Sequence, residues 1–368
     1  MVAINTNQTM ELGDVHNKIM GLKREDYAAQ SQRVSVDQAY PNRKGFAVQL
    51  HSGVDEVTFR MTPHAREQLN NRWTGFNTFS KELDRLGHTD LYIDTANELL
   101  ERDERKMIVR TMQPNGERVA RAVVSDAFKP IDDNLLVPDM LEVIGNSQNA
   151  ATWRSLGGQI TDTNTFIRFI TREPQIVLGE RNLHIGFQYK NSEVGRGYAQ
   201  FSAFFFDSFC ENGCIFSALT VADVKYMHRG SRIETDFGRI FEERIQQQEL
   251  AAIRGTVRDA TKVAVDGAYI PDVKLMLERA LHNEIPADTK TADFIKEVGK
   301  RVGLSQAEQE QSLIHYDGTD NQYGVQAAIT RLAQDAPDFS RRVELEEAGG
   351  KVLGMNDKVW ASISALAA

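Results

Sequence analysis

Residues 184–221 read HIGFQYKNSEVGRGYAQFSAFFFDSFCENGCIFSALTV, and this stretch decides the fold class. Ile185, Phe187 and Tyr189 alternate with His184, Gly186, Gln188 and Lys190. A period of two places one set on a buried face and the other opposite it. The polar loop Asn191 to Gly197, with Gly195 and Gly197, turns the chain into a long strand from Tyr198 to Phe209. Glu211-Asn212-Gly213 supplies an Asn-Gly hairpin signal, and Cys214 to Val221 returns as a third strand. The pattern predicts a three-stranded antiparallel meander. Phe201, Phe204, Phe205, Phe206 and Phe209 are too dense for solvent, so we expect them in the core.

A long helix follows. Phe237, Phe241, Ile245, Leu250, Ile253, Val257, Ala260 and Ala264 recur mostly at three- and four-residue steps. Asp236 is placed to cap that helix, and Gly255 costs it about 1 kcal/mol against Ala. The predicted class is therefore α+β: an antiparallel β-meander packed on a long helix, with a helical C-terminal region. After Pro271 the chain reads as helices joined at Pro286, Gly303, Asp317-Gly318 and Pro337.

Upstream, Phe46 to Leu50 and Glu56 to Met61 read as short strands. Thr62 and Pro63 open a helix running to about Trp73, with Thr as cap and Pro in the first turn. Further helices cover Phe76 to Arg85 and Ile93 to Arg102. Lys106 to Met112 and Arg118 to Ser125 form a hairpin about Pro114-Asn115-Gly116. The first ~45 residues are polar and weakly periodic, as in a loosely ordered extension. These readings divide the chain into a polar arm (1–45), an α+β core (46–270) and an acidic helical region (271–368).

Composition bounds the function. The 368 residues are 41% hydrophobic and 26% charged, enough to bury a sizeable core. No basic-then-apolar leader opens the chain, and no stretch approaches the roughly 20 apolar residues of a membrane span. The expected location is the cytoplasm. Two cysteines, Cys210 and Cys214, are too few for a disulfide framework. The net charge of −9 opposes general nucleic-acid binding, but the acidity is uneven. Residues 181–262 hold 11 Lys/Arg against 10 Asp/Glu, whereas residues 283–351 hold 8 against 13.

Four groupings of residues have the chemistry for a site. Cys210 and Cys214, with His184 and His228, contain zinc-type ligands, but three residues separate the cysteines and the Asn-Gly between them suits a hairpin turn. A cysteine nucleophile would need a base, and His228 is the only one at hand. Ser125-Asp126 with Asp132-Asp133 offers clustered carboxylates of the kind metal-dependent nucleases use. Asp and Ser are equally the residues that cap helices and close turns. Basic residues form the fourth grouping. Lys190 and Arg196 flank the first hairpin loop, where glycines let a backbone approach phosphate. Lys225, Tyr226, His228, Arg229 and Arg232 precede the long helix, and Arg239 lies on it. Interleaved aromatic rings can stack on bases. No phosphate-binding loop, dinucleotide fingerprint, His-Glu-x-x-His or nucleophile elbow occurs, so neither a catalytic residue nor a cofactor is expected.

Three stretches resemble the phage/plasmid-like protein family, catalogued as a domain of unknown function. Arg118 to Asp133 contains an arginine, a small strand and Ser125-Asp126-Ala127-Phe128-Lys129-Pro130-Ile131-Asp132, similar to the pattern R-A-x-x-S-D-x-Y-x-x-x-D with Phe128 in place of Tyr. Lys190-Asn191-Ser192 and Cys210-Glu211-Asn212-Gly213 resemble the family's N-S and C-x-N-G elements, with His228-Arg229 in the reverse order of its R-H pair. Ala327-Ala328-Ile329-Thr330-Arg331 and Glu347-Ala348-Gly349-Gly350 resemble N-A-x-T-R and E-x-x-G, with Ala327 in place of Asn. The resemblance implies a phage or plasmid origin and leaves the activity open.

The order of a meander followed by one long helix also occurs in single-strand annealing proteins. We therefore expect a protein that binds or anneals single-stranded DNA without nucleotide hydrolysis. Lys190, Arg196, Lys225, Tyr226, Arg229, Arg232 and Arg239 would hold the strand. Its expected partners are further copies of itself and a phage or host replication or recombination protein. Two alternatives stand beside it: a non-enzymatic protein binding a partner through the acidic helical C-terminus, and a metal-dependent nuclease built on Asp126, Asp132 and Asp133.

Overall fold

The computed structural model describes residues 4–6, 11–39, 45–52, 55–148, 150–178, 181–207, 212–216, 224–226, 238–287 and 289–367. Its N-terminal part comprises β1 (Ile4–Thr6), α1 (Leu12–Gly21), β2 (Lys23–Gln30), β3 (Val34–Gln38), β4 (Phe46–Ser52) and β5 (Asp55–Met61). Then come α2 (Pro63–Leu69), α3 (Asn77–Leu86), α4 (Thr89–Glu101), β6 (Lys106–Gln113), β7 (Val119–Ser125) and α5 (Asp133–Gly145). The middle holds β8 (Trp153–Ile160), β9 (Thr165–Thr171), β10 (Ile176–Leu178), β11 (Arg181–Asn191), β12 (Ala199–Asp207), β13 (Asn212–Phe216) and β14 (Val224–Tyr226). The remainder is helical: α6 (Gly238–Val265), α7 (Ile270–His282), α8 (Thr291–Val302), α9 (Gln306–His315), α10 (Gln322–Arg331), α11 (Phe339–Leu353) and α12 (Asp357–Ala367). Two mostly antiparallel sheets and a helical C-terminal region make this an α+β protein.

The predicted meander is the middle of a larger sheet. Strands run in the order β1-β8-β9-β11-β12-β13, with β10 added on β11 and β14 on β12. Ile185 pairs with Phe205 and Phe205 with Cys214, so β11, β12 and β13 are antiparallel as the alternation predicts. The described third strand ends at Phe216. Residues 217–221, expected to extend it, lie outside the described residues, as do Phe209 and Phe237.

Both faces of this sheet are covered, which explains the phenylalanine density. Phe187, Tyr189, Phe201 and Phe205 pack with Leu136 and Met140 of α5, Val257, Ala260 and Ala264 of α6, and Val273 and Leu277 of α7. Phe204 and Ile215 point the other way, onto Phe166, Ile170 and Val343 of α11. On that second face Arg168 of β9 makes a two-pronged ion pair with Glu346 of α11, and both side chains are buried. The C-terminal helices are thus docked on the sheet and also carry a core of their own, around Phe294, Val298, Ile329, Val352 and Trp360.

Residues 11–39 correct the expectation of an arm. β2 pairs with β6 from Lys23 opposite Gln113 to Gln30 opposite Lys106. Val15 and Ile19 of α1 are buried in the main core. The stretch looks unstructured in sequence because β2 is an edge strand of largely exposed residues and α1 needs only one apolar stripe.

β2 belongs to a second sheet of order β2-β6-β7-β5-β4-β3. The Tyr27 ring on β2 lies 4.8 Å from that of Phe59 on β5, although β6 and β7 separate the two strands. Flat, three strand spacings would hold those backbones about 14 Å apart, so the sheet is strongly curled. α2 and α4 fill its concave side with Ala65, Leu69, Tyr92 and Ala96. Thr62 caps α2 as predicted, its hydroxyl accepting from the Ala65 N–H at 3.1 Å.

Candidate functional site

The hairpin loop between β11 and β12 is where the two sheets meet. Asn191, Ser192, Glu193 and Val194 are buried, while Gly195 and Arg196 are exposed. Such burial of a polar loop requires partners for every charge and backbone group. Glu193 finds them on the curled sheet: Arg121 Nη1 lies 2.6 Å from its Oε2 and Arg24 Nε lies 2.8 Å from its Oε1. The Glu193 carbonyl accepts from Arg110 Nη1 at 2.7 Å. The Val194 carbonyl accepts from Gln68 Nε2 at 2.8 Å, and Gln68 in turn accepts from the Val123 N–H.

Arg121 is aimed by a β-bulge. Arg110 pairs with Ala122 and Thr111 with Ala120, so Arg121 is the extra residue of β7. A bulge turns one side chain off the regular pleat. Its Nε and Nη2 are buried without a hydrogen-bond partner.

On the other side of Glu193 stands the start of α5. The Asp133 N–H donates to Glu193 Oε1 at 2.8 Å, so a carboxylate from a distant loop caps this helix. Asp132 occupies the cap position but does not cap; its carboxylate takes two 2.7 Å bonds from Arg110 Nη2. Asp133 accepts from the Tyr189 hydroxyl at 2.8 Å, Asn191 Nδ2 at 2.9 Å and the Thr165 hydroxyl at 2.5 Å. Burial, reinforced by the charge of Glu193, pushes the Asp133 carboxyl up to about 7. Burial works against ionised Glu193 too, but Arg121 and Arg24 outweigh it and hold that carboxyl well below the usual range.

The first of the family-like motifs and the Asn191-Ser192 element of the second therefore converge on one place. The arginine of the first pattern is Arg121, and Phe128 packs with Val194 behind the N-S element. Gly195 has φ +73° with Phe128 beneath it, where an added Cβ would meet the ring at 3.2 Å. The third motif is a packing device: a Cβ on Gly349 of α11 would lie 2.2 Å from the Thr330 methyl of α10.

The carboxylates do not assemble as a metal centre. Asp132 and Asp133 are committed to guanidinium, hydroxyl and amide donors, and Asp126 lines a separate cavity. Among the described residues no group of three His, Cys, Asp or Glu is arranged to hold a metal. Cys214 is a buried free thiol, and His184 is buried with Nδ1 against the Thr171 carbonyl at 2.9 Å. Cys210 and His228 lie outside the described residues.

The basic residues are only partly brought together. Lys190 is half-buried at the end of β11, its Nζ 5.6 Å from the Phe166 ring centre and 5.8 Å from that of Tyr198. Arg196 is exposed at the loop tip, held through its N–H on the Ser192 hydroxyl at 3.1 Å. Neither makes an ion pair among the described residues. Lys225 shares the row of Lys190 by register: Lys190 pairs with Gln200, and Gln200 with Lys225. Tyr226 does not join them. It pairs with Ala199, on the opposite face, and lines a cavity of about 580 Å³ with Ile131, Leu250 and Ile253. Arg239 falls in the first turn of α6, and Arg229 and Arg232 lie outside the described residues.

No protein-family model, curated protein or solved structure matches this chain. Among the described residues no helix is long and apolar enough to cross a membrane.

Proposed function

We propose that the chain binds single-stranded DNA without nucleotide hydrolysis, as a binding or annealing protein of the phage/plasmid-like family. The observation that carries this reading is the pair Lys190 and Arg196. Among the described residues they are cations without ion pairs, at the end of β11 and on the loop it feeds, in a chain whose other described arginines are largely paired. Lys190 and Arg196 meet the phosphates, which carry no sequence information. The half-buried Tyr198 ring beside Lys190 gives a base a surface to stack on. Lys225, two strand spacings or about 10 Å from Lys190 in the same row, continues the track. Arg229, Arg232 and Arg239 belong to the same proposal through their closeness to Lys225 in sequence.

The charge of −9 weakens long-range attraction, so one chain binds weakly at physiological salt and copies assembled along a strand sum their contacts. The experiment is an anisotropy titration of a labelled single strand and of its duplex at several salt concentrations. The single strand is expected to bind more tightly, with affinity falling as salt rises. Absence of binding at low salt overturns the reading. The acidic helical region then becomes the functional surface, presenting Leu275 (67% exposed) and Ile314 (80% exposed) to a partner protein.

A further inference from the structure

A second site lies in the curled sheet, away from the hairpin loop. Where the ends of β2, β4 and β7 meet the starts of β5 and β6, the concave face encloses a cavity of about 570 Å³. Its apolar wall comes from alternate positions on four strands: Tyr27, Leu50, Val57 and Met107 among them. The curl that brings Tyr27 against Phe59 also leaves this end open, because the helices packed inside the sheet do not line it. The mouth of a curled or closed sheet is a common place for a small-molecule site, and this volume is in the range such sites have.

The rim is what distinguishes the cavity from a packing gap. Arg33 and Lys106 both line it, both are exposed, and neither has a side-chain hydrogen bond or ion pair among the described residues. Asp126 is the one carboxylate among the lining residues. His51 lines it too, but its ring is engaged by Glu56 at 3.0 Å and by the Ser35 hydroxyl at 2.9 Å. Two cations without a partner among the described residues, set over an apolar wall in an acidic chain, suit a ligand with a flat apolar body and an anionic end.

We propose that this cavity binds a nucleotide unit, with the base against the half-buried Tyr27, Ala29 and Val57 and the phosphate between Arg33 and Lys106. Two cations suit a phosphate, which spreads charge over several oxygens. The Gln30 amide on the lining offers its N–H donors to a base edge, its Oε1 already accepting from Gln32 Nε2 at 3.1 Å. The same unit occurs free, as a mononucleotide, or within a single strand. No lining residue is shared with the Lys190 and Arg196 loop, so this proposal and the strand-binding one fail separately.

The test titrates deoxyadenosine monophosphate, inorganic phosphate and a short oligodeoxyadenylate into the full chain by calorimetry. The same titrations are repeated on the double variant Arg33→Ala/Lys106→Ala and on Ala29→Phe, which fills the cavity. We expect saturable binding of the mononucleotide, weakened about tenfold or more in the double variant and abolished in Ala29→Phe. The double variant should keep the parent's unfolding midpoint, since Arg33 and Lys106 are exposed, and it decides the test even if Ala29→Phe, at a half-buried position packed on the core of the curled sheet, is destabilised. If only the oligonucleotide loses affinity in both variants, the unit is read within a strand. If inorganic phosphate binds as tightly as the mononucleotide, or if neither nucleotide ligand loses affinity in the variants, the proposal is overturned.

Discussion

Glu193 and Arg121 belong to different sheets, and their charged atoms lie 2.6 Å apart with both side chains almost wholly buried. The contact fastens the loop of the large sheet to the bulge of the curled one. Replacing Glu193 with Gln keeps the shape and removes the charge, leaving Arg121 in the interior without its anion and Arg24 with only the more distant Asp133, at 3.7 Å. Breaking a buried pair from one side costs about 3–5 kcal/mol. Urea unfolding of Glu193→Gln should show a loss of that order. A loss below about 1 kcal/mol, the scale of an exposed pair, contradicts the clamp.

Asp133 gives the clamp a pH signature. Its carboxyl keeps a proton to about pH 7 in the folded protein, whereas an unfolded Asp releases it near pH 4. The folded state then binds more protons, so this residue makes stability fall as pH rises from about 4 to about 7. The slope is at most about 1.4 kcal/mol per pH unit. Glu193 acts in the opposite sense: its contribution is present above its unfolded pKa and is lost as acid is added below it. Asp133→Asn should flatten the slope between pH 4 and 7. An unchanged slope in denaturant titrations across that range places the proton elsewhere.

Gly349 and Thr330 test the docking of α11 on α10. Gly349→Ala places a methyl where the Thr330 methyl already stands, and overpacking of this kind costs about 1–3 kcal/mol. Thr330→Ser removes that methyl and keeps the hydroxyl, which donates to the Gln326 carbonyl at 3.1 Å. Thermal unfolding should show Gly349→Ala destabilised and the double variant Gly349→Ala/Thr330→Ser largely restored. Simple additivity of the two changes would mean the methyl contact is not the cause.

For strand binding, the informative variant is Lys190→Ala/Arg196→Ala. It should weaken single-strand binding for all sequences alike and flatten the dependence on salt, because two phosphate contacts are lost. Arg196 is exposed and unpaired among the described residues, so the unfolding midpoint should move little. A double variant with the parent's salt slope would falsify the assignment of these two residues.

What the sequence made legible is what short-range pattern encodes. Alternation in Ile185, Phe187 and Tyr189 identified the meander, and Thr62-Pro63 identified the start of α2. The two-sided burial of β12 was present as phenylalanine density, but the partner of its second face, α11, begins 132 residues after that strand ends and leaves no local mark. The N-terminal strand was missed because an edge strand can be polar throughout. The site was missed for a related reason. Glu193 reads as an ordinary hairpin-loop residue, and nothing near it in sequence announces three guanidinium groups waiting on another sheet. The family-like motifs were the one available signal, since Arg121 and Asn191-Ser192 both fall within them. Tyr226 was grouped with the basic cluster by proximity in sequence, and strand alternation sent it to the other face.

The clamp joins residues that leave the ribosome far apart in time. Arg24 and Glu193 are separated by 169 positions, an interval of roughly 10–30 s at ordinary elongation rates. Until Glu193 emerges, the curled sheet has Arg24 and Arg121 ready on one side with no carboxylate from the loop to receive them. Residues 1–192 hold 23 Lys/Arg against 25 Asp/Glu, so the unmet positive charge is confined to that one face of the nascent chain. A ribosome-bound intermediate stalled before residue 193 should leave Arg24 and Arg121 open to arginine-modifying reagents, from which the finished chain shields them.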